Sequence, residues 1–179
     1  YAVESFGASD TVGGFASSAF VLGATCMRVF SGWIVDRVGH KKAALTSLVF
    51  VTVVAVAYFF AHNVAVLIIV RMVHGAGYAL TSTALMAVAQ SVIPHERRAE
   101  GTGYFALGTT LATAFGPAIG LLLANNIGYT TLFAVALGAN IVSLILALVL
   151  RYPAEVSSEK PAFKLRNAVH PNVVPIGLF

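Results

Sequence analysis

Five apolar stretches, at residues 11–35, 43–61, 64–92, 101–124 and 129–150, fill most of this 179-residue chain. An α-helix rises about 1.5 Å per residue and the hydrocarbon core of a bilayer is about 30 Å thick, so about 20 residues cross it. Each stretch meets that length, and the basic residues outside them fall in alternate connections. Arg37, Lys41 and Lys42 follow the first stretch, Arg97 and Arg98 the third, and Arg151, Lys160, Lys164 and Arg166 the fifth. The N-terminal segment and the turns at His62–Asn63 and 125–128 carry no Lys or Arg, and only Arg28 and Arg71 lie within spans. The positive-inside rule then places the N-terminus outside and the basic loops in the cytoplasm. The expected architecture is all-α, a multi-pass transmembrane bundle in the cell membrane.

Composition supports this reading against a soluble helical domain. Charged residues make up 10% of the chain, where soluble domains carry about 25%, too few to cover a surface facing water. The net charge of +4 sits in short loops and not on one basic face, which argues for topology and contact with anionic headgroups, not for nucleic-acid binding. The single Cys26 lies mid-span and excludes an intrachain disulfide. His40, His62, His74, His95 and His170 are too dispersed for one metal site, and neither a phosphate loop nor a nucleophile–base arrangement is present. The expectation is a protein without enzymatic activity, metal or cofactor.

Along the chain, residues 1–151 form the five-helix bundle, 152–171 a polar cytoplasmic linker, and 172–179 the start of a further span. Tyr1 in place of Met and this interrupted apolar run lead us to expect the ends to be internal to a longer protein. Span one is rich in Gly and Ser, which lets helices approach closely in lipid. Pro94 ends span three, because proline has no N–H to donate. Thr109, Thr113, Gly116 and Gly120 share one face of span four, an expected packing seam, with a bend at Pro117. Arg28 is expected to snorkel or to pair with Asp36, and Asp10 to lie at the outer interface.

Three motifs stand out. Gly32-Trp33-Ile34-Val35-Asp36-Arg37-Val38-Gly39-His40-Lys41-Lys42 joins spans one and two. Here Gly32 suits close packing and Gly39 a tight turn. Asp36 is placed to accept hydrogen bonds from a helix N-terminus or a basic group. Arg71 is followed by His74, Gly75 and Gly77, and Gly108 precedes Gly116-Pro117-Ala118-Ile119-Gly120. The first motif resembles the loop between helices two and three of the major facilitator superfamily, the second its fourth-helix motif, and the third its fifth-helix motif associated with antiporters. Where that pattern often continues with a second Gly, this chain has Leu121.

The resemblance covers the whole chain. It implies helices two to six of a secondary transporter, with the central loop and the start of helix seven, built from inverted three-helix repeats. It also implies gating roles for Gly32, Asp36, Arg37, Gly39, Lys41 and Lys42, and a proton-coupling role for Arg71. A guanidinium within a span costs about 2.5–3.5 kcal/mol on insertion scales and calls for a protein or water partner. At about 100° per residue, Arg71, His74, Tyr78, Thr81 and Ser82 share an arc of roughly 100° and are expected to line a cavity.

The preferred function is export of a small organic molecule in exchange for protons. Uptake of a sugar or organic anion by symport or uniport, and a non-transporting membrane scaffold, are the alternatives. The expected partners are a small-molecule substrate, the bilayer and the remainder of the same transporter. Membrane-impermeant labelling of single-cysteine variants checks the topology. Positions 41, 98 and 164 should react from the cytoplasmic side and positions 63 and 126 from outside, whereas same-side labelling of 41 and 63 contradicts five spans.

Overall fold

The structure, a computed structural model, describes Ala2, residues 6–150 and Tyr152. The expected linker, Tyr152 apart, and the expected start of a further span lie outside the described residues. Five long α-helices follow one another: α1 (Asp10–Val38), α2 (His40–Ala57), α3 (Val64–Val92), α4 (Arg98–Asn126) and α5 (Tyr129–Val149). Short 3₁₀ turns at Tyr58–Phe60 and His95–Arg97 extend α2 and lead into α4. All five, with those extensions, have the length and composition to cross a membrane.

The helix ends follow local chemistry. Ser9 caps α1 and Asn63 caps α3, the Asn63 side-chain oxygen accepting the Val66 N–H at 2.8 Å. Extended Ile93 closes α3 ahead of Pro94, because a residue before proline is pushed out of the helical region. The expected loop between spans one and two shrinks to one residue. Gly39, at φ +95°, returns its N–H to the Val35 carbonyl at 2.9 Å and lets the chain reverse without unwinding either helix. Asp36 and Arg37 therefore belong to the last turn of α1, and Lys41 and Lys42 to the first turn of α2. At the start of α4 the helix begins three residues earlier than span four, with Glu100 in its first turn, where a carboxylate favours the helix dipole.

α1 and α3 run parallel and form the tightest contact. A Cβ placed on Gly23 would collide with the Met72 carbonyl, and one on Gly75 with the Phe20 carbonyl. Each glycine thus meets the other helix's backbone. Ser31 and Thr83 join the same pair further along, with hydroxyl oxygens 3.1 Å apart. α2 packs antiparallel against α3, where Gly77 lies under Phe50 and Val51. Apolar clusters close both ends of this three-helix unit. Ala16, Tyr58, Ala61 and Leu67 meet at the end near Asp10, and Val35, Ala43, Ala44, Ala84 and Val88 at the other.

α5 leans on α2, and α4 is attached mainly through α5. Among the described residues no residue of α4 is buried, so the expected seam meets no packing partner there. Nothing lies within 4 Å of a Cβ on Gly108 or Gly116, and Gly120 meets only Leu132, at 3.8 Å. Thr109 and Thr113 bond back to carbonyls of their own helix. The helix is continuous across Pro117.

The glycine contacts set a direct expectation. Gly23→Ala and Gly75→Ala should each lower stability by about 1–3 kcal/mol, the usual cost of forcing extra volume into a packed contact. Gly138→Ala, with nothing within 4 Å of the added carbon, should stay within about 0.5 kcal/mol of the parent. Thermal unfolding of the purified protein in detergent distinguishes them, and equal tolerance of all three contradicts the close approach.

Candidate functional site

The reciprocal glycine contact places the polar residues of α3 beside the backbone and rings of α1. Arg71, adjacent to Met72, reaches across to donate from Nη2 to the Ser17 carbonyl at 3.3 Å. Its Nε is buried without a hydrogen-bond partner among the described residues. One turn on, the His74 Nδ1 lies 3.0 Å from the Tyr58 hydroxyl. The His74 ring meets Phe20 edge-on at 5.7 Å and Tyr58 at 5.5 Å, and Tyr58 in turn meets Phe133 of α5 at 5.4 Å. A ladder of rings and hydrogen bonds thus ties α1, the end of α2, α3 and α5 together around one guanidinium.

Two cavities open against this ladder. One, of about 410 Å³, is bordered by Asp10, Ser17, Tyr58, Arg71 and Phe133, among others. The second, of about 360 Å³, is bordered by Phe20, Tyr58, Arg71, His74, Phe133 and Asn140, among others. Arg71 and Tyr58 belong to both. The arrangement combines apolar walls, a fixed positive charge, an imidazole and an amide. It suits an aqueous pathway or a small organic molecule.

The polar arc of span three divides in the structure. Arg71 and His74 border the cavities, whereas Tyr78, Thr81 and Ser82 lie outside both linings. Tyr78 is exposed and tilts against Phe20 at 5.5 Å. Thr81 is buried and gives its hydroxyl to the Gly77 carbonyl at 2.9 Å, and Ser82 gives its own to Ala79. Each of these hydroxyls is satisfied within its own helix.

At the opposite end, the Arg37 guanidinium stands 5.3 Å over the Trp33 ring and the Lys41 ammonium 5.3 Å over the Tyr152 ring, in cation–π geometry. Tyr152 donates to the Ala147 carbonyl at 2.9 Å, and burial pushes its phenol above the ordinary tyrosine range. Asp36 and Arg28 are exposed and make no ion pair with each other, since the ion pair among the described residues is Arg97–Glu100 at 3.8 Å. Gly32 is exposed, with nothing within 4 Å of a Cβ there, so no described helix packs on it.

The sequence reading missed Ser17, Phe20, Tyr58, Phe133 and Asn140. Ser17 contributes only a backbone carbonyl, which side-chain identity does not reveal. Asn140, an amide within an apolar span, was the available signal.

Five bilayer-length helices, with a cationic, aromatic-walled cleft lined from α1, α2 and the turn after it, α3 and α5, define a multi-pass membrane protein of the transporter type. The sequence profile of the Major Facilitator Superfamily matches residues 1–178. The chain belongs to this superfamily, whose members are transport proteins and not enzymes. It is 31% identical over 133 residues to the staphylopine export protein of Staphylococcus aureus, a match covering 73% of this chain and 32% of that protein. It is 33% identical over 124 residues to the uncharacterized protein Rv2265 of Mycobacterium tuberculosis, covering 69% and 29%. It is 30% identical over 137 residues to the multi-drug resistance efflux pump PmrA of Streptococcus pneumoniae, covering 73% and 34%. The chain thus spans about a third of the length of these relatives.

Proposed function

We propose that this chain forms part of one helical bundle of a secondary transporter that exports a small organic molecule in exchange for protons. Two bundles rock about a central cavity to give alternating access, and the second belongs to the remainder of the same transporter. In this reading the protein resides in the cell membrane, with the chain start outside and the basic turns in the cytoplasm. The names of the export protein and the efflux pump among its relatives support the direction of transport. The run Gly116-Pro117-Ala118-Ile119-Gly120 supports antiport.

The observation that carries the proposal is Arg71. It holds a permanent charge within a span, borders both cavities and keeps a buried Nε without a partner among the described residues. Such a group has a task, because its burial in lipid is otherwise a net cost. Asp36, exposed at the end of α1 and without an ion pair among the described residues, is placed to latch this bundle to its counterpart. Arg37, Gly39, Lys41 and Lys42 would set the geometry of that latch.

Proton flux in vesicles carrying the transporter tests the role of Arg71. Lysine keeps the charge but loses the planar fork, so Arg71→Lys should retain part of the flux with a shifted pH profile. Arg71→Ala should abolish proton-driven flux while inserting normally, since the surrounding apolar residues carry the span. Wild-type flux and pH profile in Arg71→Ala would make the arginine a packing element.

A further inference from the structure

We propose that His74 is a proton-binding site of this bundle, taking up and releasing a proton in the cavity it shares with Arg71. This rests on the proton-coupled reading above and gives it a titrating group. An arginine stays protonated throughout the accessible range, so Arg71 can bias a proton-linked step but cannot carry the proton. Histidine is the side chain whose ordinary titration spans pH 5 to 8, and His74 stands where no described span holds an Asp or Glu in its middle. Asp10 and Asp36 lie at opposite ends of α1, and Glu96 and Glu100 at the start of α4.

Several elements meet at the ring. α1 presents the Phe20 ring edge, and the turn after α2 presents the Tyr58 hydroxyl at 3.0 Å. α3 itself contributes Arg71 one turn earlier, and α5 contributes Phe133 and Asn140 to the same cavity. Among these groups Arg71 holds the one fixed charge.

A hydroxyl both donates and accepts, so the Tyr58 contact survives either charge state. With Nδ1 unprotonated, the Tyr58 O–H donates to it, and the ring keeps its hydrogen on Nε2. A proton arriving from cavity water adds to the Nδ1 lone pair. The new N–H then donates to the Tyr58 oxygen, whose own hydrogen turns away. One N–H bond forms, no other covalent bond changes, and the cavity gains one positive charge a helical turn from Arg71. The bundle thereby has two states of different charge, and a conformational equilibrium can respond to the difference.

Proton uptake by the purified transporter in lipid nanodiscs, followed by unbuffered acid–base titration from pH 8 to pH 4, tests this. The parent should bind one proton per chain more than His74→Gln over that range. Tyr58→Phe should retain that proton with a displaced midpoint, and histidine-selective ¹⁵N NMR of the Tyr58→Phe protein reads the ring directly without altering His74. Equal proton uptake by the parent and His74→Gln, or a His74 resonance that does not titrate in this interval, overturns the proposal. Because the count is made at equilibrium without transport, its failure is separable from failure of the Arg71 flux test.

Discussion

The contact on which the rest of this structure depends is the backbone approach of α1 to α3, in which Gly23 meets the Met72 carbonyl and Gly75 the Phe20 carbonyl. In lipid, helices gain little from burying apolar side chains, because the tails outside are equally apolar. Association relies on close van der Waals fit and on polar groups that find partners between helices. Two glycines, each set against the other helix's main chain, provide the fit, and the Ser31–Thr83 hydroxyl pair provides a polar tie further along.

The site inherits its geometry from that contact. Met72 and Gly75 touch α1, so their neighbours in α3 are carried with them, Arg71 to the Ser17 carbonyl and the His74 ring to Phe20. Tyr58 reaches His74 because α2 ends beside α3 at the Ala61–Leu67 cluster. A polar residue within a span is tolerated when its partners are fixed in place, and here the partners are fixed by packing one residue away. Among the described residues the Nε of Arg71 is buried without a hydrogen-bond partner, and Arg71 borders both cavities.

Much of the architecture was legible in the sequence because a bilayer imposes a length on any helix that crosses it. The five spans, the break at His62–Asn63 and the end of α3 at Pro94 follow from apolar length and from residues that cannot continue a helix. The turn at Gly39 was harder. Charged residues from Asp36 to Lys42 look like a loop, yet one glycine at positive φ reverses the chain and leaves those charges on helices. Periodicity brought Arg71 and His74 onto one face but could not separate them from Thr81. Hydroxyls that bond back to their own helix carry the same sequence signal as hydroxyls that face water. Tyr58 and Phe133 were invisible for a different reason: their role comes from contacts across helices, which no single-helix pattern encodes. The small-residue face of α4 meets almost nothing within the described residues, so the pattern alone did not say what packs there.

The central claim, that α1 and α3 lie in direct parallel contact at a register set by two glycines, is most directly measured by disulfide cross-linking. Ser31→Cys and Thr83→Cys, combined in a Cys26→Ser background, place two thiols where the hydroxyl oxygens are 3.1 Å apart. Mild oxidation in membranes should cross-link this pair readily, while Val29→Cys with Thr83→Cys, the former on an exposed face of α1, should stay reduced. A Ser31–Thr83 pair that fails to cross-link in normally inserted protein, or cross-links no better than the Val29 control, would contradict the register and the site built upon it.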